Sequence, residues 1–520
     1  MMPTIHSRLA CEPIQLRESQ LPYYRAIASK ARYTIRPRQK REPVEYKGLP
    51  PELWLHVFSF LRGDKLDLTS LTMASKSFAA LAQPLLFQYI IIRPVCGQHP
   101  TSGRLTCRRD YLERITERMQ FGTQERIAHA VTTVEFSPTI DYARRESSST
   151  EIAAVADMVA RMLPLFPRLR SFRCAHLILQ PQHVYTISGM AYLRSFHATN
   201  CHLSDHFHDH TYESPMEEFT MSWQGNTADL LGVTLSPHSH QRWFSFMHPD
   251  RLRTLNLAPL DAFLDRMLSD LLDRGIYFHV LRSLSLPWMA VRSESFVLLL
   301  ERAPFVQELR FTVRPFHRTI TMTHPLPHHV LQNLSVLEAP ECALPFLLES
   351  KSLRELSCTT LRDGGSLPTD IVAIFDALPP GTFWELGKLS LDMKCLSDEL
   401  LDCLTRKVPH ITILNLNVRG MAWGPTPGSL GSHTTESTVA FFLSLQLPNA
   451  LEYLYIGKQY VTDIRPAVRQ LNEDDVLVLR SHFPFNYPSL KEAHFYAASL
   501  RMVYDKGNVT TITRAKLQRV

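Results

Sequence analysis

A short hydrophobic frame, apolar-x-x-apolar-x-apolar, recurs along most of the chain. It occurs at 169–174, 193–198 and 252–257, for example, and twelve copies are present, with a further candidate at 131–136. The starting positions of successive copies are 19 to 40 residues apart. Alternating apolar positions are typical of a half-buried strand, and a repeat of this length is typical of a solenoid. The pattern therefore predicts one short strand in each repeat.

Several stretches between the strands have the apolar spacing of helices. Apolar residues recur every three or four positions in 151–163, 261–272 and 370–378. Residues 139–150 instead predict an irregular connection before the first of these helices. One strand and one helix are too small to bury their own apolar faces, so neighbouring repeats must stack. The pattern predicts a curved solenoid with a parallel β-sheet on its concave face.

Polar residues alternate with the apolar ones in every copy of the frame. The fourth and sixth residues are expected to point into the solenoid, and the fifth is expected to project from the concave sheet. These fifth residues, named here the central strip, are Arg173, His197, Thr220, Asn256, Ser285, Arg310, Glu338, Ser357, Ser390, Asn415, Tyr455 and His494. The candidate target-binding residues among them are Arg173, His197, Asn256, Arg310, Glu338, Asn415 and Tyr455.

Two other interpretations of the binding surface remain open. A polar strip is also expected on any solvated sheet face that binds nothing. The Gly, Pro and Ser-rich insertion 420–436, which contains Trp423, is a competing contact surface on the same solenoid. Such insertions are often tolerated surface loops without a binding role.

A different pattern precedes the repeats. Pro50 and Pro51 suit the first turn of a helix, and Glu52 suits its positive end, so a helix is expected from about Pro50. The apolar arc of this short helix is wide. We therefore expect a second surface to bury part of the arc. The residues of the arc are Leu53, Trp54, Val57, Phe58, Phe60 and Leu61.

Residues 49–92 resemble the F-box family. The family pattern runs Leu-Pro-x-Glu-Leu, then Phe-x-x-Leu, then Leu, then Ser-Lys/Arg-x-Phe/Trp, and the sequence matches it except that Met73 and Ala74 stand where many members have Val-Cys. An ordinary hairpin of core helices is the alternative. The resemblance implies binding to a Skp adaptor through Leu49, Pro50, Leu53, Val57, Phe58, Leu61, Leu71, Lys76 and Phe78.

The repeats are similar to the longer, helix-containing class of leucine-rich repeats. They depart from its consensus because the Asn or Cys expected shortly after the frame is nearly absent, Cys201 being an exception. As a whole the chain resembles fungal F-box proteins with C-terminal leucine-rich repeats. The implied α/β fold has a basic, flexible segment at 1–47, an all-helical F-box at 48–92 and an irregular leucine-rich-repeat solenoid at 93–520.

The resemblance implies a function without catalysis. Such proteins are substrate-recognition adaptors of Skp-cullin-F-box ubiquitin ligases, in which the F-box binds the Skp adaptor, and through it the cullin, while the repeats bind a target protein. Tethering of this kind raises the effective concentration of the target at the ligase. Two alternatives remain open, a Skp-binding scaffold that delivers no target and a protein-interaction module without a ubiquitin-ligase role.

The net charge of +6 is confined to one segment. Residues 25–47 contain eight basic and two acidic side chains, which leaves 48 of each sign in the rest of the chain. Nucleic acid is therefore not an expected partner of the repeats, since binding to phosphates requires a basic face. Residues 36–41 are either a nuclear import signal or part of a solvated lead-in to the F-box.

Compartment and chemistry follow from the remaining features. Nine scattered cysteines without a Cys-x-x-Cys pair favour reduced thiols. No membrane span or secretory signal is expected from the sequence. These features together favour the cytoplasm, the nucleus or both. The run 202–210 is rich in histidine and follows Cys201, so it contains several potential metal ligands. Adventitious metal affinity is the favoured interpretation of this run. No catalytic motif is complete in the sequence, and residues 381–389 resemble a phosphate loop only loosely. No catalytic residue, metal or cofactor is therefore predicted.

Overall fold

The computed structural model describes residues 49–61, 64–98, 105–145, 149–204, 214–223, 243, 247–258, 261–273, 275–313, 330–347, 352–360, 365–378, 381–383, 385–418, 443, 445–458, 473–495, 500–505 and 508–514. The chain divides into two units between Phe60 and Leu61. The described part of the first unit contains one helix, and the second unit contains all the other described helices and strands. The predicted basic segment 1–47 lies outside the described residues.

The helix of the first unit is α1 (Pro51–Ser59), and it begins where the sequence predicts. Pro50 is extended and precedes the helix, while Pro51 and Glu52 lie in its first turn. Proline is favoured there because the amide hydrogen that it lacks would have no partner within the helix. The helix is followed by Phe60, whose amide donates back to Val57 over 3.2 Å.

The helices of the second unit begin with a pair that side chains cap. The Asp64 carboxylate accepts hydrogen bonds from the amides of Leu66 and Asp67 over 2.9 and 3.1 Å, and the Ser75 hydroxyl accepts one from Phe78 over 3.1 Å. In chain order the helices are α2 (Lys65–Ala74), α3 (Lys76–Leu86), α4 (Arg109–Gly122), α5 (Glu125–Ala128), α6 (Ile152–Met162), α7 (Pro181–Ser188), α8 (Asp261–Asp273), α9 (Glu294–Glu301), α10 (Leu344–Leu347), α11 (Pro368–Ala377), α12 (Asp398–Lys407) and α13 (Glu473–Asn486).

Short strands alternate with these helices. They are β1 (Tyr89–Ile92), β2 (Val95–Gln98), β3 (Leu105–Arg108), β4 (Thr133–Phe136), β5 (Thr139–Arg145), β6 (Ser149–Glu151), β7 (Ser171–Ala175), β8 (Ile178–Leu179), β9 (Ser195–Thr199), β10 (His202–Leu203), β11 (Glu218–Ser222), β12 (Thr254–Ala258), β13 (Ser283–Pro287), β14 (Glu308–Thr312), β15 (Val336–Pro340), β16 (Glu355–Thr359), β17 (Lys388–Met393), β18 (Ile413–Val418), β19 (Tyr453–Lys458), β20 (Glu492–Phe495), β21 (Leu500–Asp505) and β22 (Asn508–Arg514).

One 16-stranded sheet dominates the second unit. Its order is β1-β4-β7-β9, followed by β11 to β22 in chain order, and all of its strands are parallel until β21 and β22 complete the sheet as an antiparallel hairpin. Each of the twelve frame copies, and the further candidate at 131–136, supplies one of the parallel strands. The predicted stacking of repeats into a parallel sheet is therefore confirmed.

The first strand of the sheet lies within the segment assigned to the F-box. β1 pairs in parallel with β4, in the register Ile90 to Val134 and Ile92 to Phe136. Residues 87–92 also fit the frame, with apolar side chains at Phe87, Ile90 and Ile92. The sheet therefore begins at Tyr89, before the predicted boundary at residue 93, and the division after Phe60 also splits the predicted module 48–92.

The stretch 139–150 is not an irregular connection. β5 and β6 within it belong to a four-stranded sheet of order β5-β2-β3-β6. Pairing of β5 with β2 and of β6 with β3 satisfies backbone groups that an irregular loop would leave to water. A smaller sheet joins β8 and β10. The sequence prediction for this stretch was wrong because its strands pair outside the main sheet.

The core lies against one face of the main sheet. The fourth and sixth residues of the frame are buried wherever the structure describes their side chains, as at Leu255 and Leu257, which are both 0% exposed. Aromatic side chains stack from repeat to repeat, with ring centroids 5.9 Å apart for Phe172 and Phe196 and 6.0 Å apart for Phe196 and Phe219. This ladder links neighbouring repeats, and it leaves the opposite face of the sheet to the polar residues.

Candidate protein-interaction surfaces

Helix α1 exposes several large apolar side chains. Leu49 and Leu53 are each 49% exposed, Val57 is 42% exposed and Phe60 is 77% exposed. Pro50, which follows Leu49, is exposed too. These residues belong to the predicted arc or to the F-box motif. Exposed apolar area of this kind on a short helix suits a protein partner that excludes water from it.

Phe58 does not belong to this exposed set. Its side chain is 1% exposed, and its ring centroid lies 5.7 Å from that of Trp54. A side chain that is already removed from water has little area left to offer a partner. The expected role of Phe58 in Skp binding stays a prediction. Trp54 and Leu61 are half-buried, so the predicted arc is divided into a buried and an exposed part.

Helices α2 and α3 place the remaining motif residues. Leu71 and Phe78 are half-buried, and Lys76 is exposed in the first turn of α3. Leu66 and Met73 are 80% and 76% exposed, although the motif did not single them out as contacts. These helices therefore present apolar area at motif positions and beside them.

The central strip is one continuous row across the main sheet. Lateral partners on neighbouring strands include Arg173 with His197, Ser285 with Arg310, and Arg310 with Glu338, and the register remains unbroken from β7 to β20. The sheet thus brings all twelve predicted residues onto the open face. Those with the largest exposure are Arg173 and Arg310, and the other ten are half-buried.

Hydrogen bonds hold many of these side chains in place. The Asn415 amide donates to the Ser390 hydroxyl over 3.0 Å, and the rings of Tyr455 and His494 lie 5.0 Å apart. Asn256 lines a groove on the face between β12 and β15. The strip is therefore a partly ordered polar surface.

The groove beside Asn256 has a volume of about 570 Å³. Glu308 lies on its wall, accepting hydrogen bonds from the Ser283 hydroxyl over 3.1 Å and from Arg310 over 3.2 Å. Glu338 lines the groove next to Arg310. The walls also include Arg253 and Arg282, Thr254, Ser285, Phe311 and Thr312.

Burial and charge set the protonation of His197. Burial lowers its pKa, the Glu218 carboxylate opposes this effect, and the Arg173 guanidinium lowers the pKa further. The ring nitrogen Nε2 lies 2.7 Å from the Ser195 hydroxyl and 3.6 Å from Glu218. The neutral form of His197 is thus favoured on the open face.

The thiols of Cys174, Cys342 and Cys358 are poorly suited to nucleophilic chemistry. Burial raises the pKa of Cys174 and of Cys358 well above the usual range, and burial with the nearby Glu341 raises the pKa of Cys342 to about 11. A thiol reacts as its thiolate, which these shifts disfavour. Within the part of the chain that the structure describes, no three potential metal ligands cluster. Residues 205–210 of the histidine-rich run and the insertion 420–436 lie outside that part.

Sequence reasoning missed a row of arginines beside the central strip. Arg170, Arg194, Arg253 and Arg282 occupy the second place of their frames, directly before the strands. The signal was present as the repeated sequence Leu-Arg-Ser or Leu-Arg-Thr. It was overlooked because only the fifth place of the frame was considered to face outward.

Comparison with known proteins gives the following. No protein-family model matches the sequence, and no curated protein matches it. Among solved structures, the chain is similar to one from the crystal structure of a TLR13-ssRNA13 complex, with a TM-score of 0.33 and 11% identity over 70% of this chain and 46% of that one. It is also similar to one from the structure of the Toll-Spatzle complex of Drosophila, with a TM-score of 0.26 and 12% identity over 72% of this chain and 44% of that one.

This chain thus spans less than half the length of those two matched chains. The assignment of repeats consequently rests on this chain's own frame and sheet register, and the F-box resemblance rests on residues 49–92. None of the described helices is both long and apolar enough to span a bilayer.

Proposed function

We propose that this protein is a substrate-recognition adaptor of a Skp-cullin-F-box ubiquitin ligase, in which residues 49–86 bind the Skp adaptor and the open face of the repeat sheet binds a target protein. Catalysis belongs to the other subunits of the complex. The observation that most supports the proposal is the exposure of Leu49, Leu53 and Val57, three motif residues on or beside α1. Large apolar side chains that stay in contact with water favour burial by a partner.

The second half of the proposal concerns the target. Its support is the continuous central strip, which offers hydrogen-bonding and charged groups in fixed order across twelve strands. A rigid sheet of this kind fixes the position of a bound target relative to the ligase, which raises the effective concentration of its lysines there. The identity of the target is left open.

The Skp half is tested by co-purification of the full chain with the Skp adaptor. The double variant Leu53→Asp with Val57→Asp places two carboxylates on the exposed apolar face of α1. Burying one unpaired charge in an apolar interface costs about 3 kcal/mol, so Skp recovery should fall by more than roughly a hundredfold. Both side chains are more than 40% exposed, so the circular-dichroism spectrum should not change.

His56→Asp is the matched control, because His56 is exposed on the same helix and outside the apolar arc. It should recover Skp at the level of the unmodified chain. Equal recovery of Skp by the double variant and the control would show that α1 is not a Skp-binding helix. If α1 is confirmed as a Skp-binding helix, co-purification of cullin with the chain supports the ubiquitin-ligase role. Co-purification of Skp without cullin supports a Skp-binding scaffold instead.

A further inference from the structure

The four arginines beside the central strip lie in one row. Arg170, Arg194, Arg253 and Arg282 directly precede β7, β9, β12 and β13, and Glu217 takes the equivalent place before β11. Their backbones form a ladder, in which the amide of Arg194 donates to Arg170 over 2.7 Å and that of Arg282 to Arg253 over 2.8 Å. These strands are successive neighbours in the sheet. We call these four side chains the arginine row.

The arginine row contains more positive charge than its surroundings neutralise. Glu217 lies 3.5 Å from Arg194 and 3.9 Å from Arg253, whose side chains remain 47% and 66% exposed. Arg282 instead stacks on Phe305, 5.6 Å from its ring centroid, and donates to the Phe305 carbonyl over 3.4 Å. Arg170 and Arg282, at the two ends of the row, have no carboxylate partner among the described residues. Among the described residues, two of the four guanidinium groups thus share the Glu217 carboxylate, and the other two have none.

The row continues into the 570 Å³ groove. Arg253, Arg282 and Arg310 all form part of the groove wall. Glu308 is already engaged by Arg310 and by the Ser283 hydroxyl. The groove thus offers guanidinium and hydroxyl donors to an incoming carboxylate, and Arg253 and Arg282 keep donors available for it.

We propose that the arginine row and the adjoining groove bind an acidic, extended peptide segment of a partner protein, which crosses the strands of the sheet. Four inter-strand steps separate the ends of the row, a span of roughly 19 Å. About six residues of extended chain cover that distance, and alternate side chains of such a chain face the same surface. Guanidinium groups bind carboxylates through paired hydrogen bonds. The inference does not depend on the ligase proposal, because no residue of α1, α2 or α3 takes part in it.

The carboxylates between the arginines favour an acidic peptide over a nucleic acid. Glu217 interrupts the row, and Glu218 and Glu308 lie beside it on the open face. A polynucleotide presents a phosphate at every step and would bring some of them against these three side chains. An acidic peptide places its carboxylates at intervals, with neutral residues between them, and avoids that repulsion.

The binding is tested with the full chain and a fluorescein-labelled peptide of alternating glutamate and serine, about ten residues long, in a fluorescence anisotropy titration at low salt. The comparison peptide replaces each glutamate by glutamine. The acidic peptide should bind at least tenfold more tightly, and its affinity should fall as salt is added, because screening weakens exposed charge pairs. Double reversal, Arg253→Glu with Arg282→Glu, should weaken its binding at least tenfold.

Arg266→Glu is the matched control. Arg266 is exposed on α8, where Leu264, Met267 and Leu268 form the buried side, so the same change of charge occurs away from the sheet face. It should leave the affinity within twofold. The proposal is overturned if neither peptide binds, if both bind equally, or if the control weakens binding as much as the double reversal. It is also overturned if a single-stranded RNA of about ten nucleotides binds more tightly than the acidic peptide and depends on the same two arginines.

Discussion

Arg173 and His197 are lateral partners on the neighbouring parallel strands β7 and β9. The pKa of His197 is lowered first by burial, and the Arg173 guanidinium acts in the same direction, while Glu218 opposes both. A cation beside a histidine disfavours the protonated ring. Arg173 and His197 are therefore electrostatically coupled across two neighbouring strands of the central strip.

Replacing Arg173 by glutamine should raise the pKa of His197. The variant removes a neighbouring positive charge and leaves the burial and the Glu218 carboxylate in place. The pKa is measured from the chemical shift of the His197 ring in an NMR pH titration. Arg310→Gln, on the same strip but several strands away, serves as control and should leave the titration unchanged. A pKa that stays the same or falls in the Arg173 variant would show that the two residues are not coupled.

His176 should make the fold sensitive to acid. Burial lowers its pKa, and its Nδ1 atom is buried without a hydrogen-bond partner among the described residues. The unfolded chain therefore takes up a proton at higher pH than the folded chain does. The resulting stability is present above the pKa of the unfolded chain, about 6.5, and is lost as the pH falls through and below it.

The variant His176→Asn should lose less stability on acidification. His176 has a backbone φ of 55°, and asparagine tolerates this left-handed conformation better than most residues. The free energy of unfolding in urea is measured between about pH 5.5 and 8. At pH 8, His176 is neutral in both the folded and the unfolded chain. As the pH falls from there, the free energy of unfolding should decrease less in the variant than in the unmodified chain. Parallel pH curves would contradict this assignment.

The fold of the repeats was predictable because its signal is local and periodic. Each frame places apolar residues on one face of a strand, so Leu255 and Leu257 were expected inside and Asn256 outside without knowledge of the neighbouring strands. Register across the sheet followed, since one face must be buried in every repeat. This is why the sheet brings the central strip together in the expected order.

Other features depended on contacts that the pattern does not contain. β1 fits the frame at Phe87, Ile90 and Ile92, but the family resemblance assigned these residues to a helical module. The sequence did not distinguish Phe58 from Val57, because both lie on the same apolar arc and only packing decides which of them stays exposed. The stretch that contains β5 and β6 has no clear alternation, and its strands form by pairing with β2 and β3.

The arginine row shows the same limit at the candidate site. Its residues precede the strands, where the alternation of a strand does not yet define a face. Only the backbone ladder from Arg170 to Arg194, and from Arg253 to Arg282, places them side by side. The repeated Leu-Arg sequence contained the information, but stacking of the repeats was needed to interpret it.

Gly365 should be the least replaceable glycine among those that the structure describes. Its φ of 90° lies in the left-handed region, and a Cβ atom built there would overlap the backbone of Met393 and Lys394. This close approach allows Ser366 to bridge to Met393, with the Lys394 amide donating to the Ser366 carbonyl over 2.8 Å. Gly365→Ala must therefore separate two backbone segments or distort both.

Gly381→Ala is the control that separates the two costs of the Gly365 substitution. Gly381 has a similar φ of 85°, but a Cβ atom there would meet nothing within 4 Å. Its substitution should cost about 1–2 kcal/mol, the strain of a left-handed backbone alone. Gly365→Ala should cost about 1–3 kcal/mol more, since the overlap with backbone adds to that strain. Urea unfolding of both variants measures the difference, and equal losses of stability would show that the close approach to Met393 adjusts without cost.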